Sequence, residues 1–184
     1  MAERAKALQS AANQQNDSEV SAEMVDHNKR QAKKDPAVFE AWPLPGLAPM
    51  TRVRTSFGDV HAAALRKGDE VLTRDGSYKS ILWLTRICLD EQILSEKPDC
   101  NPVVLAAGSL GPQVPASEIM VSPRQMIGAD NKSGLARNQE AAALVSRPGV
   151  RRLRETCLSY TMFHVGEPAE IYCEGTYLLF PMDA

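Results

Sequence analysis

The chain has 184 residues, of which 43% are hydrophobic and 24% charged, and this composition predicts one globular domain with an additional segment. The formal net charge of −2 and the aromatic content of 5% do not favour a nucleic-acid partner, which needs basic patches and stacking rings. No apolar run reaches the roughly 18 residues that a membrane span requires and no apolar signal segment occurs, so we expect a cytoplasmic protein without direct membrane insertion.

The four cysteines are not arranged as a metal site. Cys88, Cys100, Cys157 and Cys173 are separated by 12, 57 and 16 residues, and no C-x-x-C pair occurs. We therefore predict no metal and no other cofactor. In a chain without a secretion signal we expect reduced and mostly buried thiols.

Residues 1–42 differ in composition from the rest of the chain, because Ala, Gln, Glu and Lys dominate and no glycine occurs. Residues 1–13 favour a helix, and Asp17 or Ser18 is a suitable N-cap for a second helix that continues to Lys34. One narrow apolar stripe does not stabilise an isolated helix in water. The segment is therefore either a disordered tail or an arm that becomes ordered against a partner protein. We place the boundary between this arm and a β domain at residues 42 and 43.

The large apolar side chains of the arm are candidates for contact with partner proteins. Phe39 and Trp42 are three residues apart, and they either attach the arm to its own domain or fill a pocket of a partner. The charges of the arm nearly cancel, so we expect apolar contact to dominate over electrostatic attraction. The candidate partner-binding residues are Leu8, Val20, Met24, Val25, Phe39 and Trp42.

Residues 51–84 predict a series of short strands, because apolar runs alternate with glycine turns. The strongest hairpin signal is Asp75-Gly76, which lies between the apolar runs 71–73 and 81–83 and offers a glycine for a turn with positive φ. A strand is also expected to end near Cys88.

The second half of the chain predicts further strands and one helix. Residues 136–145, with the sequence ARNQEAAALV, favour a short helix that ends before Pro148-Gly149, and a new strand begins at Val150. Charged side chains discourage edge-to-edge pairing, so we interpret the nearby arginines as the solvated edge of a sheet. They are Arg147, Arg151, Arg152 and Arg154.

Three blocks of the sequence resemble the Hint family of hedgehog and intein autoprocessing domains, in its bacterial form. The first is T-S-F-G at 55–58 with L-R-K-G-D-E-V-L-T-R-D-G at 65–76. The second is P-V-V-L-A-A-G-S-L-G at 102–111 with V-S-P at 121–123, and the third is residues 160–180 with E-G at 174–175. The resemblance spans roughly residues 46–181. It implies an all-β, Hint-like, pseudo-symmetric fold that follows a partly helical N-terminal arm.

The resemblance also implies where the chemistry of the family would lie. A Cys or Ser at the first position of the domain attacks the preceding carbonyl, a histidine in the V-S-P block protonates the departing amide nitrogen, and a histidine or acid in the last block assists later steps. Alignment of the three blocks places Gly46, Gln125 and Pro168 at these positions. The C-terminal residues also lack the Asn that splicing members use. None of the three residues can supply the expected group, so the resemblance implies a Hint fold without catalytic residues.

Two classes of function follow. The first is a non-enzymatic structural or interaction subunit that docks into a larger protein assembly through residues 1–42. The alternative is a self-processing domain that uses a different nucleophile; a Cys173–His164 pair is conceivable, although a structural role is the more common one for a lone histidine. A third possibility is the binding of a small molecule or peptide in the cleft between the two pseudo-symmetric halves.

Overall fold

Short antiparallel strands joined by tight turns make up the domain, and the all-β prediction is confirmed. The computed structural model describes residues 42–129 and 134–181. The predicted helices of residues 1–34 lie outside the described residues.

The first four strands form one sheet in the order β2-β1-β3-β4, and all of its pairs are antiparallel. The Asp75-Gly76 hairpin is confirmed, but its second strand consists of residues 78–80 rather than 81–83, because Leu72 pairs with Tyr78. The strands are β1 (Arg52–Thr55), β2 (Gly58–His61), β3 (Glu70–Leu72) and β4 (Tyr78–Ser80).

A long two-stranded ribbon follows, in which β5 (Trp83–Leu89) pairs with β11 (Leu158–His164) along the full length of both strands. One helix, α1 (Glu91–Glu96), begins directly after β5. The sequence analysis did not predict this helix, although its N-cap signal is present: the side chain of Asp90 accepts a hydrogen bond from the main-chain N–H of Ile93.

Two further antiparallel sheets complete the domain. One has the order β10-β6-β7 and the other the order β12-β13-β8-β9. Their strands are β6 (Val103–Leu105), β7 (Ile119–Val121), β8 (Met126–Ile127), β9 (Gln139–Glu140), β10 (Val150–Arg152), β12 (Ala169–Cys173) and β13 (Thr176–Phe180).

The predicted helix at residues 136–145 is wrong. The segment instead forms β9 followed by one short 3₁₀ turn, Ala141–Leu144. Tertiary contacts override the helix propensity of AAAL: the N–H of Ala141 donates to the carbonyl of Gln125 at 2.9 Å, and the N–H of Ala142 donates to the carbonyl of Pro123 at 2.9 Å. These two N–H groups are therefore not available to a regular helix.

The interpretation of the arginines as a strand edge agrees with the sheet order, because β10 is an edge strand. Arg151 forms an exposed ion pair with Glu118 at 3.5 Å, and Arg152 donates to the main-chain carbonyls of Asp99 and Asn101.

Two hydrophobic clusters form the interior. The larger one lies among the four sheets and includes Leu47, Val53, Phe163 and Leu178. The smaller one includes Ala48, Leu94 and Tyr160 and packs against Trp42. Consecutive residues Leu47 and Ala48 belong to different clusters, so the chain passes between the two at this point.

Candidate functional site

The candidate site lies where residues 44–48 pass between β7 and β11. Leu47 forms bridges to both Val121 and Thr161, and Leu47 and Thr161 exchange two main-chain hydrogen bonds of 2.9 and 2.8 Å. The carbonyl of Gly46 accepts from the N–H of Ser122 at 2.8 Å. These bonds fix the Pro45–Gly46 peptide, which is the bond that the resemblance marks for cleavage, inside the domain.

Gly46 is buried and has no space for a side chain. A Cβ atom built on Gly46 would lie 2.9 Å from the Cβ of Tyr160 and 3.4 Å from the Cγ of Met162. The φ of Gly46 is +157°, a value that residues with a side chain rarely adopt. The backbone here is therefore shaped around glycine, and a cysteine or serine nucleophile would require Tyr160 or the chain to move.

Gln125 is fully buried, and both ends of its side-chain amide form hydrogen bonds. Nε2 donates to the carbonyl of Leu179 at 2.9 Å and to that of Met126 at 3.3 Å, while Oε1 accepts from the N–H of Gly46 at 3.1 Å. A rotated amide would face Oε1 towards two carbonyl oxygens and Nε2 towards an N–H group. The network therefore fixes the amide orientation.

Gly46 and Gln125, the positions predicted for the nucleophile and the histidine, are thus in direct contact. The direction of their hydrogen bond, however, is that of a structural contact. An amide oxygen accepts the proton of the Gly46 N–H and cannot donate a proton to that nitrogen. Catalysis of amide cleavage needs the opposite polarity, because the departing nitrogen must gain a proton.

Pro168, the third position from the resemblance, is exposed in the connection between β11 and β12. Its ring offers neither an acid nor a base, and no hydrogen bond of the described residues joins it to Gly46 or Gln125.

Sequence reasoning did not identify the residues that hold the segment before Gly46. The Ser122 hydroxyl donates to the carbonyl of Leu44 at 2.5 Å and accepts from the N–H of Arg124 at 3.3 Å. The Nε of Arg124 donates to the carbonyl of Trp42 at 3.1 Å, and its Nη1 donates to both carboxylate oxygens of Glu140. The V-S-P block contains Ser122, but the sequence did not show that its hydroxyl would face residues 42–46.

The other hydroxyl and imidazole groups considered have structural partners. Thr51 donates to the carbonyl of Met120 at 2.7 Å, and Nδ1 of His61 is 2.9 Å from the carbonyl of Met50. His164 stacks on Trp83 with ring centroids 5.7 Å apart, and Nδ1 accepts from the N–H of Gly166. The structure records no bond between His164 and Cys173.

Burial separates the cysteines into two pairs. Cys100 and Cys173 are buried, and desolvation raises the pKa of each thiol. Cys88 and Cys157 are exposed, so the prediction of mostly buried thiols is wrong for half of them. Both exposed residues lie at one end of the β5–β11 ribbon.

Among the candidate partner-binding residues, Trp42 is described. Its ring packs against Tyr160, with centroids 6.0 Å apart, at the edge of the smaller hydrophobic cluster. Burial also raises the pKa of the Tyr160 phenol, whose hydroxyl donates to the carbonyl of Cys100 at 2.8 Å. The remaining candidates lie outside the described residues; they are Leu8, Val20, Met24, Val25 and Phe39.

Two structural features are absent from the described residues. Among 42–129 and 134–181, no group of three or more His, Cys, Asp or Glu side chains could hold a metal ion. Within the same ranges, no helix has the length and apolar character needed to cross a membrane.

Comparison with known proteins identifies the family of this chain. The chain is similar to the MchDnaB-1 intein, with a TM-score of 0.47 and 12% identity over 73% of this chain and 98% of the intein. It is also similar to a bacterial intein-like domain from Clostridium thermocellum, with a TM-score of 0.47 and 11% identity over 74% of this chain and 97% of that domain. No curated protein matches the chain significantly. The Hint domain family matches residues 45–177, which is well over half of the sequence, and the chain therefore belongs to the Hint domain family.

Proposed function

We propose that this protein is a non-enzymatic interaction subunit, built on a Hint domain that has lost the opening acyl shift and docking into a larger protein assembly through residues 1–42. The observation that carries the loss of chemistry is the hydrogen bond from the Gly46 N–H to Oε1 of Gln125. It occupies the place where the family needs an attacking side chain and a proton donor.

Geometry supports the loss independently of the residue types. In the reaction of the family the attacking atom is attached to the residue at position 46, but a Cβ there would lie 2.9 Å from the Cβ of Tyr160. The side chain of Gln125 is also held in place, because both of its amide hydrogens are bonded to carbonyl oxygens. It therefore does not make room for another group at this position. Activity would therefore need a nucleophile from another part of the chain.

One observation favours the alternative of self-processing. The Ser122 hydroxyl is 2.5 Å from the carbonyl oxygen of Leu44, so a hydroxyl group does contact the segment before Gly46. Its two recorded partners are main-chain groups, Leu44 O and Arg124 N–H, so no general base among them activates it. This arrangement supports a structural bond more than a reaction.

The experiment compares masses of the full chain with a folded tag placed ahead of Met1. After incubation with a thiol or with hydroxylamine, we expect one species of unchanged mass, because no ester or thioester forms at residue 46. Release of the tag would contradict the proposal. The variants Ser122→Ala, Cys88→Ser and Cys157→Ser would then identify which side chain replaced the missing nucleophile.

Docking is tested separately, by co-purification of native partners with the full chain and with a chain that lacks residues 1–35. We expect the shorter chain to remain folded and to lose its partners. Phe39→Ala is the preferred point variant, because Trp42→Ala also removes packing against Tyr160. Partners that remain bound to the shorter chain would place the interface on the β domain.

A further inference from the structure

A cavity of about 430 Å³ lies on the surface next to one end of the β5–β11 ribbon, and it is unusually rich in sulfur. Four of its nine lining residues carry a sulfur atom, and the others include the apolar Ala48 and Leu158. The sulfur-bearing residues are Met50, Cys88, Met120 and Cys157.

Both exposed thiols of the chain line this cavity, whereas the buried Cys100 and Cys173 do not. Thiols that solvent can reach are the ones able to exchange a proton for a ligand, because the thiolate is the species that binds metals. The distribution therefore places every accessible thiol of the described residues in one cavity.

The strand register places both thiols at the same end of the ribbon. Cys88 pairs with Ser159 on β11, and Cys157 lies in the bend directly before β11, two residues from Ser159. Both thiols are free. A metal ion can join two thiolates that are not in direct contact, because each metal–sulfur bond adds about 2.3 Å between the two side chains.

The methionines decide which metal suits the cavity. Met50 and Met120 lie close together, because the residue after Met50 contacts Met120: the Thr51 hydroxyl accepts a hydrogen bond from the main-chain N–H of Met120 at 3.1 Å. Met50 is 71% exposed, so its flexible thioether is free to turn into the cavity. The carboxylate of Glu155 also lines the cavity, but among the described residues no group of three His, Cys, Asp or Glu side chains could hold a metal ion, as a zinc site would need. Thiolate together with thioether is a soft ligand set that suits Cu(I).

We propose that this cavity binds one monovalent soft metal ion, with Cu(I) as the natural representative, through the sulfur atoms of Cys88 and Cys157 and a thioether of Met50 or Met120. Binding exchanges two protons for the ion: both thiols lose H⁺, the two thiolates coordinate Cu(I), and no electron is transferred. The described residues contain no group of three His, Cys, Asp or Glu ligands, which agrees with a site that takes its remaining ligand from methionine. The proposal does not depend on the loss of the acyl shift.

The test is an anaerobic competition between the reduced full chain and the chromogenic Cu(I) chelator bicinchoninate. We expect the chain to take one equivalent of Cu(I) from the chelator and to release two protons per ion in an unbuffered titration. The double variant Cys88→Ser/Cys157→Ser should lose this copper, and Met50→Leu should weaken its binding. Met126→Leu is the matched control, because Met126 lies on β8 and does not line the cavity.

Urea denaturation of each variant in the absence of metal keeps the result interpretable, since both cysteines are exposed and serine should preserve the fold. Complete return of the copper to bicinchoninate by the parent chain would overturn the proposal. Undiminished copper binding by the double serine variant would overturn it as well. X-ray absorption that shows nitrogen and oxygen rather than sulfur neighbours would have the same consequence.

Discussion

The main-chain N–H of Gly46 donates a 3.1 Å hydrogen bond to Oε1 of Gln125 across 79 residues of sequence. This bond joins two residues whose side chains offer neither a nucleophile nor a proton donor. It belongs to a network in which Nε2 of Gln125 donates to the carbonyl of Leu179 on β13. The Gly46–Gln125 contact is therefore part of the interior of the domain.

The first prediction concerns the stability that this network provides. Gln125→Met keeps the volume but leaves the buried Gly46 N–H and the part-buried Leu179 carbonyl without their partner. Each such group costs about 1–3 kcal/mol, so we expect a loss of about 2–6 kcal/mol in the free energy of unfolding, measured by urea denaturation. Gln92→Met on the exposed face of α1 is the control and should change stability by less than about 0.5 kcal/mol. Equal losses in both variants would show that the buried network contributes nothing.

The second prediction concerns the closed space at Gly46. Gly46→Ala should cost about 2–5 kcal/mol, because an unfavourable φ and a contact 2.9 Å from the Tyr160 Cβ act together. Gly76→Ala is the matched control: its φ is +84°, but nothing lies within 4 Å of the added atom, so only the conformational cost of about 1–2 kcal/mol remains. Thermal and urea unfolding of both variants measure the difference. If the Gly46→Ala protein were no less stable than Gly76→Ala, Tyr160 would have to move away from the added Cβ without a measurable cost in free energy.

The third prediction concerns acid stability at the β3–β4 turn. Hydrogen bonds from Thr73 and Ser77 lower the pKa of Asp75 well below its usual value. A lowered pKa in the folded state stabilises the fold at pH values above the ordinary Asp pKa of about 3.9, and this contribution is lost as the pH falls towards the folded value. We therefore expect Asp75→Asn to be less stable than the parent at pH 7 and the difference to shrink below about pH 4. Solvent screening at this exposed turn keeps the effect small.

Urea midpoints across this pH range provide the measurement for Asp75. Glu70→Gln neutralises an exposed carboxylate on β3 and serves as the control. A difference between Asp75→Asn and the parent that stays constant from pH 7 to pH 3 would show that the charge of Asp75 is not what stabilises the turn.

The fourth prediction concerns thiol reactivity. Iodoacetamide should alkylate Cys88 and Cys157 in the native protein and leave Cys100 and Cys173 unmodified, because the second pair is buried and burial raises the pKa of both of these thiols. Peptide mass spectrometry after short labelling locates the modified residues, and labelling in urea should modify all four. Rapid native labelling of Cys173 would show that the larger hydrophobic cluster opens.

Local sequence determined much of the architecture. The glycine turns and the alternating apolar residues of 51–84 are sufficient to predict short antiparallel strands, because turn geometry and side-chain alternation act over a few residues. Another local signal, helix propensity, gave the wrong result for the sequence AAAL at residues 141–144. There the N–H groups of Ala141 and Ala142 bond to Gln125 and Pro123, which are close in space but distant along the chain. Helix propensity is weak compared with such contacts.

The sequence by itself determined that residues 46, 125 and 168 are Gly, Gln and Pro, whose side chains cannot act as a nucleophile, a proton donor or an acid or base. Only the tertiary structure decided that Gly46 has no space for a side chain, that Gln125 is committed to three hydrogen bonds, and that four sulfur side chains line one cavity. Each of these facts depends on distances between residues from separate strands. Such distances are set by how the strands pair and pack, which the order of residues along one segment does not specify.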